Sequence, residues 1–158
     1  MGWMSGWMSP AALALGAALT ALGCASAGGA FVPASLVGSS WVAESVDGHG
    51  TVGRPPITLM FESAERAVGS TGCNRYFAAI RMSGDSSTPP YVPRLVFGQS
   101  GSTRMACAPE VMDQEQKYLA VLASVQSYRL NGTALVLLDA AGLARVRLVR
   151  GAIGRPTP

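Results

Sequence analysis

The chain has 158 residues, 49% of them hydrophobic and only 13% charged, with 19 Gly and 10 Pro. It is too apolar for a disordered protein and too rich in Gly and Pro for a helical bundle, and its length suits one domain with a segment to spare. The 12 basic and 9 acidic side chains all lie between Glu44 and Arg155, so an uncharged leader precedes an ordinary domain.

Within the leader, residues 11–24 (AALALGAALTALGC) form an apolar run. A bilayer-spanning helix needs about 20 apolar residues, whereas ~10–14 suits the core of a signal peptide. Gly28, Gly29 and Pro33 then oppose continuation of a helix. Two cleavage readings stand side by side. Ala21-Leu22-Gly23-Cys24 resembles a lipobox, which would acylate Cys24 and anchor the protein to a membrane, although Ala21 stands where Leu is usual. Ala25-Ser26-Ala27 is an A-x-A site that would release a soluble protein. The first ten residues carry no Lys or Arg, a departure from both patterns. Either reading makes this an exported protein of the cell envelope, periplasm or exterior. The expected organisation is a signal peptide over 1–24, a flexible linker over 25–35, a domain over 36–149 and a disordered tail over 150–158.

The domain reads mostly as strand. Residues 40–46 end at the turn signal Asp47-Gly48-His49-Gly50; 57–62 and 66–70 follow, separated by a polar turn. Cys73-Asn74-Arg75-Tyr76-Phe77 leads into a fourth strand at 79–82. Residues 83–93 (SGDSSTPPYVP) read as a long surface loop, because proline removes ladder donors. Strand resumes at 94–98. Pro109, suited to the first helical position, opens a helix to about Ser124, with Glu110 and Asp113 complementing the helix dipole. Val111, Leu119 and Leu122, with Met112 and Tyr118 beside them, form its apolar face; Gln114, Gln116 and Lys117 form its polar face. Strands at 126–130, 135–138 and 144–148 close the chain, with turns at Asn131-Gly132 and Ala141-Gly142. Arg145 and Arg147 read as the solvated face of an edge strand. About seven strands and one helix predict an α+β domain, a mainly antiparallel, partly open barrel-like sheet whose open side the helix covers.

Two segments taken together resemble a known family. Gly72-Cys73-Asn74-Arg75-Tyr76 and Ser102-Thr103-Arg104-Met105-Ala106-Cys107 are similar to the paired signature of the META domain, the family of the heat-shock protein HslJ. Trp41, Gln114-Glu115, Tyr118-Leu119, Leu122 and Leu135-Val136-Leu137 occur in the family's order. The resemblance covers roughly Leu36 to Leu148. Ala78 stands where the family often has Gly, and the 83–93 loop is longer than usual. The resemblance implies a stress-associated envelope or secreted protein with a barrel and one helix, and it implies no established reaction.

The chemistry-bearing residues are few. Either cleavage leaves Cys73 and Cys107 as the pair of thiols, and in an oxidising envelope such a pair suggests a disulfide. Buried thiols, or a redox pair with Cys107 activated at the helix start, are the alternatives. Asn74, Arg75, Thr103 and Arg104 adjoin the cysteines. They read either as turn caps, with Arg104 pairing Glu115, or as a recognition patch. His49 is the sole histidine, in a turn exposed to solvent, and metal-site spacing is absent. No G-x-S-x-G or P-loop occurs, and Glu115 has no second carboxylate to work with as a general acid. A net charge of +3, with arginines scattered and no basic run among aromatics, argues against nucleic acid. The expectation is a non-catalytic binding or envelope-support module without metal or cofactor. Its partner would be an envelope protein or a hydrophobic small molecule. The alternatives are a carrier holding a hydrophobic ligand inside the barrel, suggested by the apolar strands at 57–61 and 135–138, and a thiol-redox protein.

Overall fold

The computed structural model describes residues 36–84 and 93–151. The leader with Cys24 and its two cleavage readings, the linker, most of the 83–93 loop and the tail beyond Gly151 lie outside the described residues. The strands are β1 (Ser40–Val46), β2 (His49–Gly50), β3 (Thr58–Phe61), β4 (Arg66–Ser70), β5 (Arg75–Ser83), β6 (Arg94–Ser102), β7 (Val125–Asn131), β8 (Ala134–Asp139) and β9 (Ala144–Arg150), with helix α1 (Pro109–Ser124) between β6 and β7. All pairings are antiparallel, in the order β2-β1-β3-β4-β5-β6-β7-β8-β9.

The sheet closes, where the sequence suggested that it stays partly open. β9 pairs along β1 from Val46↔Val146 to Trp41↔Arg150, making an eight-stranded barrel to which β2 is an addition. Closure removes two edges at once. β9 is therefore an internal strand flanked by β8 and β1, not the edge strand that its two arginines suggested. The weakest seam is β6–β7, registered only through Arg94↔Ser127. Because α1 begins beyond the far end of β6 and feeds directly into β7, it runs back against β6 and packs on it. The helix thus covers the one flank where the ladder thins.

Alternation fills the interior. Trp41, Leu59, Phe61, Ile80, Leu95, Leu135, Leu137, Val146 and Leu148 point inward and are buried, and Tyr118, Val121 and Leu122 enter from the helix. An internal ligand would have to displace these side chains, so the apolar strands at 57–61 and 135–138 are accounted for by the protein's own core. The fourth strand is longer than the sequence suggested. β5 runs unbroken from Arg75, with a register irregularity between Ala78 and Ile80. The β7–β8 hairpin turn falls at Gly132-Thr133, one residue later than expected, with Asn131 paired to Ala134. Gly132 supplies the positive φ (59°) at the first turn position. The helix keeps its expected span and its proline start, and its buried seam reads Val111, Glu115, Tyr118, Val121 and Leu122. A carboxylate therefore sits in a helix face otherwise built to bury apolar side chains.

Candidate functional site

Between β4 and β5 the chain turns sharply through Thr71–Asn74. The Thr71 N–H donates to the Asn74 carbonyl at 2.8 Å, and the Asn74 N–H donates to Thr71 Oγ1 at 2.9 Å. Gly72 is in the left-handed region (φ +96°), and a Cβ there would also lie 3.2 Å from the Gln114 amide nitrogen. Both facts favour glycine at this position. The turn leaves Cys73 beside the segment between β6 and α1, where it is joined to Cys107 in a disulfide with a Cα–Cα distance of 6.0 Å, well inside the range that a bridge can span.

Asn74 does more than cap the turn. It is 1% exposed, and its amide reaches two other segments of chain. Oδ1 accepts from the Met105 N–H at 2.7 Å and from the Thr103 hydroxyl at 2.8 Å. Nδ2 donates to Glu115 Oε2 at 2.9 Å and to the Met105 carbonyl at 3.3 Å. The Thr71 hydroxyl donates to the same Glu115 oxygen at 2.6 Å. Thr71 and Glu115 are buried as well, and among the described residues no buried side-chain nitrogen or oxygen lacks a partner. The result is a polar hub that ties the β4–β5 turn, the strand end after β6 and the helix to one another. Below it, the Tyr76 hydroxyl donates to the Thr58 carbonyl at 3.1 Å and lies 2.8 Å from the Tyr118 hydroxyl. Burial pushes the ionisation of both phenols up, and the neighbouring Tyr118 adds to the rise at Tyr76.

Comparison with known proteins gives the same pairing of motif and fold a name. The META domain matches residues 34–151, which include the hub, the disulfide and every strand. The chain belongs to the META domain family. Among solved structures, the chain is similar to a protein from Burkholderia xenovorans determined by NMR, with 26% identity over 74% of this chain and 84% of that one and a TM-score of 0.52. A second protein determined by NMR is 23% identical over 72% of this chain and 90% of that one, with a TM-score of 0.51, and shares the fold. A comparison with curated proteins found no match.

Within this META domain the residues singled out from sequence separate into two groups. Asn74 is interior, whereas Arg75, Thr103 and Arg104 are exposed. The backbone of Arg75 is tied to Thr103 in both directions, N–H to Thr103 Oγ1 at 3.1 Å and carbonyl from the Thr103 N–H at 3.0 Å. The suggested Arg104–Glu115 pair does not form, since the Glu115 carboxylate turns inward to Thr71 and Asn74 and no ion pair reaches Arg104 among the described residues. His49 is exposed on β2, as the sequence suggested, and no cluster of metal-ligating side chains occurs among the described residues. Arg145 and Arg147 do face outward, but each is paired. Arg145 bonds Asp47 at 2.6 Å and Asp139 at 3.3 Å, and Arg147 bonds Glu44 at 3.0 Å. A disulfide is compatible with an exported protein.

The sequence reading missed Thr71 and the outer face of β3–β5. Both carried a signal. Thr71 opens the T-G-C-N run, and strict alternation in β5 places Phe77 outward once Tyr76 is inward. Phe77 on β5 is 48% exposed and Met60 on β3 38% exposed, on the two strands that flank β4. With Val42, Val68, Arg66 and Arg75 they line a groove of about 880 Å³ on the outside of the barrel.

Proposed function

We propose that this META domain protein is a non-catalytic binding or envelope-support module that acts outside the cytoplasm under stress, held to a membrane through Cys24 if that residue is acylated. The observation that carries the reading is the use made of the signature. The side chains of Asn74, Thr71, Thr103 and Glu115 satisfy one another, so the motif's polar chemistry goes into fixing three segments in place. What the hub presents to solvent is a rigid ledge bearing two arginines, Arg75 and Arg104. A preorganised surface of this kind lowers the ordering cost of binding. The disulfide supports work in an oxidising compartment.

The test is affinity capture from an envelope extract with the purified protein, comparing wild type with Arg75→Ala/Arg104→Ala. Partners retained by wild type and lost by the double variant are the expected result. Equal recovery of every partner by both would remove the arginine ledge as a recognition patch. Mass spectrometry of the mature N-terminus distinguishes acylated Cys24 from cleavage after Ala27.

A further inference from the structure

The outward face of β1, β3, β4, β5 and β6 is not what a solvated barrel wall requires. Register places Ser40, Met60, Val68, Phe77 and Gly101 in one row across five adjacent strands, about 19 Å at the usual strand spacing. Its middle is continuously apolar. Gly101 has no side chain because Phe77 occupies its place, and a Cβ there would sit 2.8 Å from the ring. Arg66 lies over the other side of that ring at 5.1 Å and is neutralised by Glu62 at 3.0 Å. Arg75 sits one register step along β5 from Phe77, at the edge of the same groove. Its guanidinium has no hydrogen bond or ion pair among the described residues. Among the described residues no acidic one lines the groove.

From this we infer that the groove binds a single-chain amphiphile with a carboxylate head, the head on Arg75 and the apolar chain across Phe77, Val68 and Met60. The inference rests on the non-catalytic binding reading and gives it a ligand class. Hydrogen-bond balance favours this occupant over an extended peptide. A peptide carries an N–H and a C=O at every residue, and each loses water on entering an apolar groove. The groove has little to offer in return. β1, β3, β4 and β5 are already paired on both flanks, leaving only the Gly101 end of β6 without a strand beside it, and Thr58 Oγ1 accepts from the Ser70 N–H, Ser70 Oγ from the Gly72 N–H, and Thr103 Oγ1 from the Arg75 N–H. One unpaired cation beside an apolar row matches a molecule with one anionic group and an apolar body.

The experiment is NMR titration of the ¹⁵N-labelled protein with decanoate, below its micelle concentration. Decanol, acetate and an alternating Glu-Leu peptide serve as parallel probes. Decanoate is expected to saturate, with shifts confined to Thr58, Met60, Val68, Arg75, Phe77 and Gly101. Arg75→Gln is expected to weaken it by about tenfold or more, and Met60→Glu to abolish it. Both substituted side chains are on the outer surface, and thermal unfolding verifies that the variants fold. Decanol binding as tightly as decanoate, shifts elsewhere on the barrel, tighter binding of the peptide, or an unchanged affinity in Arg75→Gln would each overturn the proposal. Absence of decanoate binding would also overturn it while leaving the envelope-capture result, which uses no such probe, to judge the broader reading by itself.

Discussion

Asn74 and Arg145 each join segments far apart in the sequence, with bonds of similar length, yet they differ in what surrounds them. Asn74 is buried and neutral, and its amide meets the buried Glu115 on one side and the Thr103–Met105 segment on the other. Arg145 is charged and partly exposed, and its guanidinium bridges Asp47 and Asp139 at the surface. A buried network holds its members because any broken bond leaves a polar group without water. A surface ion pair is replaced by hydration when it opens and is screened by salt. The lesson is that in this barrel the buried cluster does the structural work and the surface one is secondary.

The disulfide is the strongest element on the hub side. Replacing both Cys73 and Cys107 by Ser is expected to lower unfolding stability by about 3–4 kcal/mol on the chain-entropy account of a loop of this length. Denaturant unfolding with and without reductant measures it, and because Asn74 still clamps Met105 the reduced protein should keep its strand signal. Next comes Asn74→Ala, which takes the acceptor from the Met105 N–H and one donor from the buried Glu115 carboxylate and is expected to cost about 3 kcal/mol. Thr71→Val, which deletes one hydroxyl without changing shape, should cost roughly 1–2 kcal/mol. In a double-mutant cycle the two should be clearly non-additive; strict additivity would mean that no hub exists.

Two pH dependences sharpen the same contrast. Tyr76 and Tyr118 ionise above their usual range when folded, so the unfolded chain loses protons first as pH rises. Stability from this pair is complete below about pH 10 and declines above it. Tyr118→Phe should reduce that alkaline decline in a series of melts. On the surface, hydrogen bonds from the Leu143 N–H, Arg145 and the Ala141 N–H hold Asp139 below its ordinary value. The unfolded state therefore binds more protons in that window, and the contribution is present above about pH 4 and lost on further acidification. Asp139→Asn should flatten the acid limb. The smallest effect is expected from Arg145→Ala, visible at low ionic strength and fading with added salt. A loss that persists at high salt, or one as large as that of Asn74→Ala, would break the contrast between the two clusters.

Much of this arrangement was legible from residue patterns. Alternation placed most of the strands, proline and the apolar periodicity bounded the helix, and the two cysteine segments pointed to the family. Glu115 was misread because a helix wheel shows only that a carboxylate shares a face with Tyr118 and Leu122; its partners come from the turn between β4 and β5, some forty residues away. Arg145 and Arg147 looked like the exposed side of a sheet edge, and they are outward, but the edge itself disappears when β9 pairs with β1. Phe77 and Met60 were passed over for a related reason. Each is an unremarkable single exposure along its own strand, and only register sets them in one row, on either side of Val68.

What the amino-acid order determined is everything set by local periodicity and turn chemistry: strands, helix, glycine turns and the membership of a family defined by short motifs. What the folded chain alone decided is closure of the barrel, the inward turn of Asn74 and Glu115 and the outer groove. Those depend on which strand lies beside which, and strand pairing is settled by the joint burial of the whole core rather than by any one segment.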